Sequence, residues 1–160
     1  MLSEQYGLVL TPLSSRYIRV YEKSIKPSLA SAGLKPFLAR SSSSLIFTEI
    51  SEKIRNATLI IADISDPNPN IFYELGITET LGKQIVLLTN SSVPLLFDLT
   101  RYRVLKYNTS QQGLKRLEIL LSKAIEAILP AKEMKQAPST DASPPVFNES
   151  NSSEIDSLLQ

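Results

Sequence analysis

Apolar residues follow two rhythms along this chain: short unbroken runs, and longer stretches in which they recur every three or four positions. Residues 7–10, 59–62 and 85–88 are runs of the first kind, bounded by turn-forming residues, and read as strands buried on both faces. Residues 34–39 and 102–107 are weaker strands, and Pro36 sends the former to a sheet edge. A helix beginning near Ser15 carries Ile18, Tyr21, Ile25 and Leu29; Pro27 is expected to kink it and Gly33 to end it. Residues 45–56 place Ile46, Ile50 and Ile54 at four-residue spacing, capped from within the serine run 41–44. Residues 71–82 are amphipathic, with Asn68 or Asn70 as cap and Pro69 available for the first turn. In residues 113–129, Leu114, Leu117, Leu121, Ile125 and Ile128 share one face.

Strands alternating with helices predict an α/β, Rossmann-like three-layer sandwich. The expected sheet has five parallel strands in the flavodoxin-like order 2-1-3-4-5, because the Pro-bearing second strand belongs outside the first. Residues 90–100 form an irregular connection before the last strand. The α/β domain is expected to occupy residues 1–130. Residues 131–160 turn to Ser, Pro, Asn and acids and read as a disordered acidic tail. In residues 132–160 two lysines face five acids, a net −3, which leaves +4 for the rest of a chain whose total is +1. Such a split suits an anionic ligand, or a tail resting on its own domain.

Composition narrows the chemistry. With 42% hydrophobic and 21% charged residues among 160, the chain has the balance of an ordinary globular protein. No apolar run reaches the roughly 20 residues that span a bilayer, so no membrane partner and a cytoplasmic location are expected. The near-neutral total gives no case for nucleic-acid binding. Absence of Cys and His removes disulfides, a Cys nucleophile and the commonest metal ligands and general base. Acid–base work must then fall to Asp, Glu, Lys or Tyr, with no metal and no required cofactor expected.

One residue breaks the pattern. At about 100° per residue from Ile71, an arc filled by Ile77, Leu81, Thr78, Ile71 and Leu75 also contains Glu74. A carboxylate facing inward costs several kcal/mol unless it is paired, hydrated or neutralised. It therefore either serves a site, or accepts strand-end amides or pairs with Arg40. Desolvation should raise its pKa while the helix N-terminus favours the anion. Three polar segments should converge at the carboxyl edge of the sheet: Thr11, Pro12, Leu13 and Ser14 after the first strand, Arg40 and its serines after the second, and Asp63 to Glu74 after the third. Thr11 to Ser14 offer hydroxyls and amides without the glycines of a dinucleotide or Walker fingerprint, and Arg40 either forks onto a phosphate or forms a structural ion pair.

The stretch ADISDPNPNIFYELGITETLGKQIVLLT resembles the nucleoside 2-deoxyribosyltransferase-like and TIR-like nucleotide-binding domains, in which a strand ending in Asp leads to NPN, FYELG and LGK. LTPLS, IKPSLASAGLK, IRNATLIIAD and a later FDL fit the same order, over roughly residues 6–129. The resemblance implies a nucleotide, a nucleoside or NAD as ligand, with Glu74 as the nucleophile on the anomeric carbon of an N-glycoside and Asp63 or Asp66 as second carboxylate. Asn70 and Tyr73 would contact base or sugar, and a homo-oligomer could complete the site. The other reading is a non-catalytic nucleotide-sensing or TIR-like interaction module. Two departures stand out: four serines follow Arg40 where relatives carry acids, and the Pro-Phe-Asp-Leu turn is lengthened to the run from Pro94 to Leu99.

Overall fold

The computed structural model describes residues 5–39, 47–94 and 101–129, and the side chains of Phe47 and Thr48 are not among those described. Arg40, the serine run 41–44, the Phe97-Asp98-Leu99 motif and the tail lie outside the described residues. Strands β1 (Tyr6–Leu10), β2 (Lys35–Ala39), β3 (Leu59–Asp63), β4 (Ile85–Asn90) and β5 (Arg103–Tyr107) form one parallel sheet in the order β2-β1-β3-β4-β5. That is the 2-1-3-4-5 order, with Pro36 on the edge strand. The apolar run of β3 is fully buried because helices cover both faces.

On one face lie α3 (Phe47–Asn56) and α4 (Pro69–Thr80). Their Ile50, Ile54, Ile71 and Leu75 pack on Leu8, Leu10, Ile60, Ala62, Ile85 and Leu87. The other face carries α1 (Ser15–Val20), a π-helical segment Tyr21–Ile25, α2 (Lys26–Ser31) and α5 (Gln111–Ile128). There Val20, Ile25, Leu29, Leu114, Leu117, Leu121 and Ile125 meet Val9, Leu59, Ile61, Val86 and Leu88. Each such fully buried aliphatic side chain stabilises the fold by about 1.5–3 kcal/mol relative to exposure.

Four local expectations change. The irregularity expected at Pro27 is a π segment one turn earlier, where the Lys26 N–H reaches back to the Tyr21 carbonyl. Proline has no N–H for the carbonyl four residues before it, and the wider turn absorbs that loss. Leu34 is not part of β2: its N–H returns to the Leu29 carbonyl at 3.0 Å across Gly33, whose φ of 74° closes the helix. The last helix starts at Gln111 rather than 113, because Ser110 caps it by accepting from the Gly113 N–H at 3.0 Å. In α4 the inward arc is narrower than the wheel suggested. Ile71, Glu74, Leu75 and Thr78 are buried, whereas Ile77 and Leu81 are half-buried in a groove against α3.

Asn68, not Asn70, caps α4. Its Oδ1 accepts from the Asn70 and Ile71 N–H groups at 3.0 and 3.4 Å, with Pro69 in the first turn. This cap fixes where α4 starts and so how deep Glu74 sits. Asn68→Ala should cost about 0.5–2 kcal/mol in urea unfolding, with Asn68→Asp restoring most of it. Equal stability of all three proteins would show that the cap contributes nothing.

Candidate functional site

Strand order reverses between β1 and β3: the chain leaves β1 toward β2 and returns to build β3, β4 and β5 on the other side. Ligand crevices of open parallel sheets form at such a switch, beyond the carboxyl ends of the strands. With Leu10 opposite Ala62, that position lies between Thr11 and Asp63. Thr11 and Pro12 are buried there, while Leu13, Ser14 and Ser15 are exposed. Ser14 occupies the cap position of α1 but makes no side-chain cap bond. The Thr11 hydroxyl is buried and has no hydrogen-bond partner among the described residues.

Asp63 is wholly buried and wholly engaged. Its Oδ1 accepts from the Ser65 N–H at 3.0 Å and the Ser65 hydroxyl at 2.6 Å, and its Oδ2 accepts from the Tyr107 hydroxyl at 2.6 Å. Ser65 Oγ in turn accepts the Asn90 N–H at 2.7 Å. Burial nevertheless raises the Asp63 pKa above its ordinary value, against the lowering effect of those bonds. The Tyr107 phenol is pushed up as well, by burial first and by the Asp63 charge second.

Glu74 is the opposite case. It is 9% exposed and its Oε2 is buried without a hydrogen-bond partner among the described residues. Desolvation raises its pKa from 4.5 to about 7. The capped helix N-terminus that should favour the anion does not offset this. Nor does Oε2 accept from a strand-end amide among the described residues. Strongly shifted carboxyls are concentrated at functional sites, which makes Glu74 a candidate working group.

The two carboxyls belong to different layers. Asp63 keeps the alternation of Leu59 and Ile61, which lie on the α1/α5 side with Tyr107, whereas Glu74 sits between Ile71 and Leu75 on the α3/α4 side. Thr89 keeps the alternation of Ile85 and Leu87, so its hydroxyl, also buried without a partner, falls in the Glu74 layer. Asp66 and Asn70 are exposed in the β3–α4 turn and first helical turn, and Tyr73 is 58% exposed on the α3 side of α4. Ser65, Thr89, Tyr107 and Arg16 were not singled out from the sequence. Arg16 is exposed at the start of α1, its guanidinium donating to the Tyr17 hydroxyl at 2.6 Å, and its charge favours ionised Asp63. Its position one turn after β1 was the available signal.

Two outcomes test this geometry. Tyr107→Phe leaves one oxygen of a buried carboxylate without its donor and should cost about 1–3 kcal/mol in urea unfolding. An unchanged midpoint would mean that the phenol bond adds nothing. For Glu74, the folded chain holds a proton that the unfolded chain releases between pH 4.5 and about 7, so ionisation makes wild-type stability fall as pH rises through that window. Glu74→Gln lacks this titration. Its stability relative to wild type should therefore rise across the window and level off above it, by about 1–3 kcal/mol, the ordinary cost of a buried unsatisfied group. Parallel pH courses for the two proteins would mean that Glu74 ionises as freely as an exposed carboxylate.

No family model and no curated protein matches the chain. Solved structures do. The CMP N-glycosidase BcmB of Clostridium botulinum superposes with a TM-score of 0.55 at 19% identity, over 72% of this chain and 99% of that one. A Burkholderia pseudomallei protein described as pilus assembly-related gives 0.51 at 11%, over 83% and 98%. The lysine decarboxylase LdcF of Francisella novicida gives 0.50 at 13%, over 87% of this chain and 21% of that one. At these identities the likeness establishes a shared α/β fold.

Proposed function

We propose that this domain binds a nucleoside or nucleotide at the carboxyl edge of its sheet and cleaves its N-glycosidic bond, with Glu74 as the reacting carboxylate. The observation that carries the reading is the buried, unpartnered Oε2 of Glu74 with its pKa near 7. A group in that state is half ionised at neutral pH and costs little to convert between acid and base. Two things support the substrate class: the motif running from Asp63 through FYELG, which resembles deoxyribosyltransferase-like domains, and the name of one fold neighbour as a CMP N-glycosidase. A nucleoside 5′-monophosphate is accordingly the first substrate to try, with NAD as the second.

In this mechanism the ionised Glu74 attacks the anomeric carbon and forms a glycosyl ester, while the C–N bond breaks and its electron pair leaves with the base. The base takes up a proton. Water then hydrolyses the ester, releasing sugar and restoring Glu74, or an acceptor base takes the sugar and completes a transfer. Asp66 is the second carboxylate of this scheme, because it is exposed while both Asp63 oxygens are occupied by Ser65 and Tyr107. Asp63 then acts as a positioning residue that holds the β3–α4 turn.

Purified wild type and Glu74→Gln should be incubated with CMP, dCMP, other deoxynucleoside monophosphates and NAD, and released base separated by chromatography. Wild type should release base from one of them, and Glu74→Gln should be slower by about 10²–10⁴-fold or more, the range lost with a positioned acid–base group. The wild-type rate should rise with pH through about 7 as Glu74 ionises. Release undiminished in Glu74→Gln would remove Glu74 from the chemistry. No release from any compound that still raises the melting temperature would leave nucleotide sensing as the function.

A further inference from the structure

Away from the Glu74 site, α5 and the helix that precedes β2 bound a groove of about 470 Å³, lined by Arg19, Lys23, Gln111, Leu114, Lys115 and Glu118. Below it the helices are held together by serines, with the Ser24 hydroxyl donating to the Leu114 carbonyl at 2.8 Å and the Ser28 hydroxyl shared between the Ser24 and Glu118 carbonyls at 2.7 and 3.0 Å. The groove carries net positive charge. Lys115 is paired with Glu118 at 2.8 Å, whereas Arg19 and Lys23 have no ion-pair or hydrogen-bond partner among the described residues. Lys23 lies in the π segment, one turn before Pro27. One turn from Lys115 along α5, Ile119 is 48% exposed, one of three large apolar side chains on the described surface with that degree of exposure. The groove thus presents two cations without partners among the described residues and an apolar rim at Ile119.

A segment of complementary chemistry is present in the chain itself. Residues 153–159, SEIDSLL, set Ile155, Leu158 and Leu159 among Glu154 and Asp156, with Glu149 just ahead. At three- and four-residue spacing Ile155, Leu158 and Leu159 share one helical face, and Ser153 is a suitable cap. We propose that residues 153–159 dock in cis into this groove, Glu154 and Asp156 meeting Arg19 and Lys23 while Ile155, Leu158 and Leu159 cover Ile119 and the aliphatic stems of the groove's long side chains.

Reach permits it. Glu118 to Ile128 spans about 15 Å along α5 at ~1.5 Å per residue. A flexible chain as long as the stretch from Leu129 to Ser153 would have an r.m.s. reach of about 27 Å, at roughly 5–6 Å times the square root of its length. The tether raises the local concentration of the segment, so weak contacts suffice. A second cationic pocket, at the opposite sheet edge, is a poorer match, because its charges are already engaged. Arg101 is paired with Glu79 at 3.2 Å, Lys83 donates to the Arg55 carbonyl and Arg103 to that of Ala124.

The absence of cysteine makes the test clean. A spin label on Ser157→Cys in the full chain, at low salt, should bleach the amide signals of Arg19, Lys23, Lys115 and Ile119, and reduction of the label should restore them. Arg19→Glu with Lys23→Glu should abolish the bleaching, and adding Glu154→Lys with Asp156→Lys should recover it. Bleaching that persists only when labelled chain is mixed with separate isotope-labelled chain would overturn docking in cis and assign the groove to a second copy. Bleaching centred on Lys83, Arg101 and Arg103, or none at low salt, would also overturn the proposal.

Discussion

At the carboxyl edge of the sheet a cluster centred on Asp63 joins three strand ends. Asp63 ends β3, and its two oxygens take donors from the turn that follows and from Tyr107 at the end of β5, while Ser65 ties the same cluster to Asn90 at the end of β4. Three strand ends and the first residues of the β3–α4 turn are thereby fixed relative to one another. The cluster lies in the α1/α5 layer, yet it sets the path of the chain into α4 in the other layer. Asn68 then starts the helix, and the 3.6-residue repeat decides that Glu74 points inward.

Two buried carboxyls in one small domain meet opposite fates. Asp63 has donors on both oxygens, so burial is compensated although its pKa still rises. Glu74 keeps an oxygen without a donor, and desolvation carries its pKa to about 7. The first arrangement stabilises an edge; the second leaves the cost of desolvation uncompensated among the described residues. Native folds keep such costs chiefly where chemistry or binding needs them. The hydroxyls of Thr11 and Thr89, at the ends of β1 and β4, are likewise buried without a hydrogen-bond partner among the described residues.

Outside that edge the surface has a different logic. Among the described residues no helix is long and apolar enough to cross a membrane. The longest helix, α5, buries Leu114, Leu117, Leu121 and Ile125 on one side and leaves Ile119 beside lysines on the other. Helix α4 shows less contrast between its faces, since Phe72, Ile77 and Leu81 are half-buried in a groove with Tyr73 and Arg55. Its composition serves two contacts at once, the sheet below and α3 beside it.

The strand and helix sequence, the parallel sheet and its order were legible in the chain, because uninterrupted apolar runs, a Pro on one strand and a 3.6-residue repeat leave few topologies that bury everything. So was the inward position of Glu74, a consequence of local helical geometry alone. What the sequence could not decide depends on residues far apart in the chain. That Asp63 would be saturated by Tyr107, 44 positions away, and Glu74 left with an unpartnered oxygen follows from which strand ends become neighbours. The pKa of each carboxyl follows in turn, since desolvation and hydrogen bonds are properties of the packed layers rather than of the residue or its local segment.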